Sequence, residues 1–154
     1  MTAQSCITER SMPFWCVGNP LSDPFGGAVL KRMDSLETAH ILAWAGKEGY
    51  IEATGFHDDD LVPWDPQQPE DDLDPNSACA KKLREIKAIL DGGGVRVSSA
   101  VCSLHGHPLF RNGGLCNPDA EIRRLARLKV ERALRMGQFL GARYYIYWVA
   151  RDGF

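Results

Sequence analysis

Four consecutive residues, His57-Asp58-Asp59-Asp60, hold the best-defined chemistry in this chain. A carboxylate three residues after an imidazole can fix the ring tautomer and stabilise its protonated form. His57 and Asp60 thus read as an acid/base pair able to move a proton. The preceding run, Tyr50 to Phe56, is largely apolar, and it stops abruptly at the titratable residues. That is the pattern of a buried strand delivering side chains to a rim. Three adjacent carboxylates repel one another, so they must be solvated or paired. A second junction of the same kind follows Val95 to Cys102, which runs into Ser103, His105 and His107. His107 precedes Pro108, so it reads equally well as a turn-packing residue.

The elements that must position these groups alternate. Strands are expected over 13–18, 50–56, 95–102 and 143–149. The first helix opens at Asp34, with Glu37 in capping-box position and Leu36, Ala39, Ala43 and Gly46 on its buried stripe. Gly49 can close it, and His40 lies beside the stripe. The second runs from Ser77 to Asp91 with Cys79, Leu83, Ile86 and Leu90 inward. The third runs from Asp119 to Gly141, with Ile122, Leu125, Ala126, Ala133, Met136 and Leu140 inward. Lys129 falls on that last stripe and is expected to snorkel outward. Arg123, Arg124, Arg127, Arg132 and Arg135 read as a solvated face. Residues 63–75 read as an acidic, proline-rich loop. The Gly92-Gly93-Gly94 run ends a helix instead of opening one, so it is not a phosphate loop. Strands alternating with helices imply parallel pairing and right-handed crossovers, in a barrel or an open α/β sheet.

With 154 residues, 44% of them hydrophobic, the chain can bury one domain's core but hardly two. Residues 1–12 are expected to be a flexible tail and 13–154 a single domain. A net charge of −2 gives no electrostatic reason to expect nucleic acid or a membrane surface as partner. No apolar run approaches bilayer-spanning length, and the first twelve residues lack a signal core, so a cytoplasmic protein is expected. Five cysteines without a C-x-x-C imply neither a disulfide framework nor a zinc knuckle.

Several stretches together carry a resemblance. They are Phe14-Trp15-Cys16-Val17-Gly18, Asp23-Pro24-Phe25-Gly26, Phe56 through Pro63, His107 through Gly114, Arg123-Arg124, and Trp148 with Arg151-Asp152-Gly153. From about Pro13 onward the chain resembles the N-terminal half of the bacterial xylose (glucose) isomerases, which are metal-dependent TIM barrels. The resemblance implies an α/β fold, half of a (β/α)8 barrel. It implies that His57 helps open a cyclic sugar, that Asp60 orients it, and that Trp15 and Trp148 wall the sugar pocket. His105 stands where the family usually has a pocket phenylalanine, and is carried as a substrate-binding residue. Val101 and Cys102 replace a polar threonine pair, Asn19 a second tryptophan, and Val149-Ala150 a glycine pair. The family's metal ligands and catalytic lysine lie on later strands, with no counterpart in this sequence. Its hydride shift depends on metal polarisation, so a stand-alone xylose isomerase is not expected.

Four parallel strands leave raw edges that association would cover. A homodimer closing eight strands is expected, with a complementary half-barrel chain as the alternative. In such a dimer His57 and His105 of both copies would meet at one mouth. A divalent metal could sit there, with Asp60 or Cys102 as a further ligand. The expected function is proton transfer, ring opening or isomerisation of a small sugar-like or carbonyl compound in a site completed by a second chain. The alternatives are a non-catalytic accessory subunit and the N-terminal half of a split isomerase.

Overall fold

A computed structural model describes residues 9–18, 33–69, 74–148 and Asp152. The order is α1 (Phe14–Gly18), α2 (Ser35–Lys47), β1 (Ala53–His57), α3 (Asp58–Leu61), α4 (Ala78–Gly92), β2 (Arg96–Val101), a 3-10 turn (Pro108–Phe110), α5 (Ala120–Leu140) and β3 (Tyr144–Ile146). The strands are parallel and lie in sequential order, β1-β2-β3. An open doubly wound sheet reverses direction at a switch point; a barrel does not. Among the described residues the sequential winding shows no such reversal and is consistent with a segment of a barrel. No described helix is long and apolar enough to cross a membrane.

The expected strand over 13–18 is corrected: this run is the short helix α1. The chain pairs with the sheet just before it. Arg10 O accepts the Glu52 and Ala53 N–H groups, Met12 N donates to Ala53 O, and Ser11 bridges Ala53 in parallel. Pro13 has no N–H with which to extend that ladder, and the backbone turns into a helix instead. Among the described residues the four expected strands are therefore three strands and a bridge, and Arg10 to Met12 of the expected tail line the sheet edge. Other boundaries shift by a few residues. β1 begins at Ala53 because Tyr50 is exposed, and the aspartate run coils into α3. The loop motif at 23–26, Asn19 and Val149-Ala150 lie outside the described residues.

The helices follow their caps. Asp34 accepts from Leu36 N at 2.8 Å, while its own N–H donates to Glu37 Oε2 at 2.8 Å. Ser77 accepts from Ala80 N at 3.0 Å and Asp119 from Glu121 N at 2.8 Å. Gly49 and Gly141, both at positive φ, follow α2 and α5. The core joins Leu42, Phe56, Leu83, Ile86, Leu90, Val95 and Met136 between helices and sheet. A second cluster, Trp64, Cys102, Leu104, Phe110, Leu125 and Ala126, lies by the site. His40 is exposed.

The crossing of α2 with the end of α4 depends on Gly93. A Cβ there would sit 2.4 Å from Ala43 Cα, whereas one on neighbouring Gly92 meets nothing within 4 Å. Gly93→Ala is expected to destabilise by about 1–3 kcal/mol as the helices are forced apart. Gly92→Ala, in the last turn of the helix, should be neutral or stabilising by up to about 1 kcal/mol. Urea melts of the two variants check the contrast.

Candidate functional site

β1 ends at His57 and α3 begins at once, so Asp60 is carried back beneath the imidazole. Asp60 Oδ2 accepts the His57 backbone N–H at 2.8 Å and lies 3.3 Å from His57 Nδ1. Both side chains are largely buried. Nδ1 is thus within ion-pair reach of a carboxylate, and Nε2 is the ring nitrogen not facing Asp60.

The Trp15 ring centroid is 4.3 Å from that of His57. His105, in the turn after β2, sits edge-on to His57 at 5.5 Å. Trp148, just past β3, lies 4.8 Å from His105. The structure thus gathers Trp15, His57, His105 and Trp148 into one row across the carboxyl ends of the three strands. All four positions singled out from the sequence for catalysis or sugar contact, and Asp60 with them, meet there.

His107 points elsewhere. Its Nδ1 accepts the Leu109 N–H at 3.2 Å, and its ring packs edge-on against Trp64. Burial pushes its pKa below the usual imidazole value, against the pull of Asp59. It is a turn-capping residue.

Beneath the row lies a charge cluster that corrects two readings. Lys129 and Arg132 do not reach solvent; both are fully buried. Lys129 Nζ donates to Asp58 Oδ2, and to Asp59 Oδ2 at 2.8 Å. Arg132 Nη1 donates to Asp58 Oδ2 at 3.0 Å, and Nη2 to Val62 O at 2.8 Å. Asp58 Oδ1 accepts the Ser103 N–H at 2.8 Å, and Asp59 Oδ1 that of Trp64 at 2.9 Å. The aspartate run is therefore paired, not solvated. Burial pulls the Lys129 ammonium down, but the carboxylates of Asp58 and Asp59 outweigh it and hold its pKa above the ordinary lysine value. Burial and the adjacent Asp58 charge push Asp59 up, against Lys129. A signal for this cluster was present in the spacing. Positions 125, 129, 132 and 136 step by four, three and four along one helical stripe, so both cations face inward with Leu125 and Met136.

Another carboxylate ties the far loops. Asp152 accepts the Gly114 N–H and the Tyr147 hydroxyl, and the Leu115 N–H at 3.2 Å. Burial opposes its ionisation, but the Tyr147 hydroxyl and these N–H donors hold its pKa below the usual range.

No three His, Cys, Asp or Glu side chains converge on a possible metal position among the described residues. Of the four metal candidates, Asp60 is committed to His57. Cys102 is buried, and burial together with the Asp58 charge pushes its thiol far up. His57 and His105 alone do not make a site. The two-metal set implied by the resemblance does not fit the described residues of this chain.

Sequentially wound parallel strands with an imidazole–indole row at their carboxyl ends form an α/β arrangement consistent with part of a (β/α) barrel. The comparison with known proteins agrees: the chain is 34% identical over 140 residues to the xylose isomerase of Thermus thermophilus, a stretch covering 90% of this chain and 33% of that protein. The chain therefore spans about a third of the length of this curated relative. No protein-family model matches.

Two outcomes follow from the charges. Lys129→Met should cost about 3–5 kcal/mol by leaving the buried Asp58 and the partly exposed Asp59 short of a cation, and should cost much less in an Asp58→Asn background, where the partner charge is already gone. A double-mutant cycle in urea measures it. The depressed His107 pKa contributes stability that is present above about pH 6.5 and is lost as pH falls through its lower folded value. His107→Asn keeps an acceptor at the cap and should remove that acid-side loss from a pH series of melts.

Proposed function

We propose that this chain opens the ring of a small cyclic aldose, using His57 and Asp60 in a barrel mouth completed by a second chain. The observation that carries the reading is the row Trp15–His57–His105–Trp148 with Asp60 on His57 Nδ1. Indole faces present a flat apolar surface suited to the C–H face of a sugar. Between them, His57 Nε2 can take the proton of the anomeric hydroxyl and return it to the ring oxygen as the C–O bond breaks. Asp60 holds the ring orientation and stabilises the imidazolium formed in between. His105, beside His57, offers a further polar contact to a hydroxyl. The relative's name makes xylose the first substrate to try.

A second chain is favoured by the sheet's edge. Tyr144, Ile146 and Trp148, on and just after β3, are all about half exposed. An apolar strand edge of this kind is a template for further pairing. A second copy would supply more parallel strands and a second row at the same mouth; a complementary chain would do the same. A metal bound at such an assembled mouth belongs to the assembly.

Ring opening alone can be followed without isomerisation. Polarimetry of freshly dissolved α-xylose should show mutarotation faster than in buffer. His57→Gln and Asp60→Asn should each lower the catalysed part by about 10²-fold or more. Unchanged mutarotation in both variants refutes the assignment. Light scattering at micromolar concentration should give twice the 17.1 kDa chain mass. A monomer with full activity refutes the completed mouth.

A further inference from the structure

The two imidazoles of the row come from different strands, and one carboxylate joins them. Asp58 follows His57 directly, and its Oδ1 accepts the Ser103 N–H two residues before His105. Its Oδ2 is held by Lys129 and Arg132, both from α5. All three side chains are fully excluded from water. Lys129 also grips Asp59, whose other oxygen holds the Trp64 N–H, and Arg132 grips Val62 O. One helix thus bolts down the whole segment from Asp58 to Trp64 and, through Asp58, the exit of β2. Asp58 itself is fully buried. Its bonds fix where the His57 and His105 backbones stand.

We propose that Asp58, clamped by Lys129 and Arg132, is a positioning residue that sets the spacing of His57 and His105 and so the register in which a sugar is held. Its relevance to ligand rests on the ring-opening reading; its effect on the two rings does not. A buried ion pair can be replaced by apolar side chains at little or no loss of stability. An ion pair kept only for stability would therefore be dispensable to the site. A misplacement of about 1 Å can cost about 10²-fold in rate, so a device holding two loops in register has consequences for chemistry.

The test compares two charge-balanced doubles. Asp58→Asn/Lys129→Gln removes both charges but keeps an oxygen for the Ser103 N–H. Asp58→Ala/Lys129→Met removes the charges and the bridge. The readout is the carbon-bound proton shifts of His57 and His105 in the folded protein, which feel the ring currents of Trp15 and Trp148. The first double should keep the wild-type shifts; the second should move both histidines toward free-imidazole values. Wild-type shifts in the second, or equal movement in both, overturn the proposal. If the second double does not fold, the native protein decides. A through-hydrogen-bond coupling between Ser103 N and the Asp58 carboxylate carbon is expected, and its absence overturns the bridge. Mutarotation measured on the same samples separates the two claims. Moved shifts with no wild-type catalysis would fail the ring-opening reading and leave the positioning role standing.

Discussion

The Asp58 carboxylate is the point through which the site and the fold constrain each other. It lies fully buried between two cations of α5 and one backbone N–H of the β2 exit. Placing charges there is expensive unless every one is answered. Two aspartates facing a lysine and an arginine meet that condition, and the remaining oxygens are taken by Ser103 and Trp64 N–H groups. Because an ion pair works only at close range, α5 cannot slide on the sheet without breaking it. That requirement holds the carboxyl ends of β1 and β2 in fixed relation. The row of rings above inherits its geometry from a polar lattice below.

Much of this was legible in the sequence. The capping box at Asp34, the inward stripe of α4 and the strand ending in His57 were readable because each follows a local period or pairing rule. The gathering of Trp15, His57, His105 and Trp148 was readable only through resemblance, since no local rule brings residues 15 and 148 together. Two failures have clear causes. The run from Pro13 to Gly18 is apolar enough for a strand, but proline removes the N–H that pairing needs, and the sheet contact falls at Arg10–Met12 instead. Lys129 and Arg132 read as surface residues because a charge on a helix is usually solvated. Here the answering charges sit about seventy residues earlier, at Asp58 and Asp59.

Glycine placement adds a second constraint on the same helix. A Cβ on Gly137 of α5 would lie 2.7 Å from Ala100 Cβ on β2, so the helix rides unusually close to the strand. That closeness brings Arg132 and Lys129, about one and two turns earlier, within reach of Asp58. Packing at one end of α5 and charge pairing nearer its middle thus serve one arrangement. The open edge at β3 is a different matter. Its Tyr144 and Ile146 side chains are about half exposed.

The ring row is proposed as a sugar site. Saturation-transfer NMR with xylose as ligand addresses it directly. Saturating the aromatic protons should label the sugar's ring C–H protons most strongly, and Trp15→Ala/Trp148→Ala should abolish the transfer while the fold persists. Absence of transfer to xylose, or transfer unchanged in that double variant, would contradict the account.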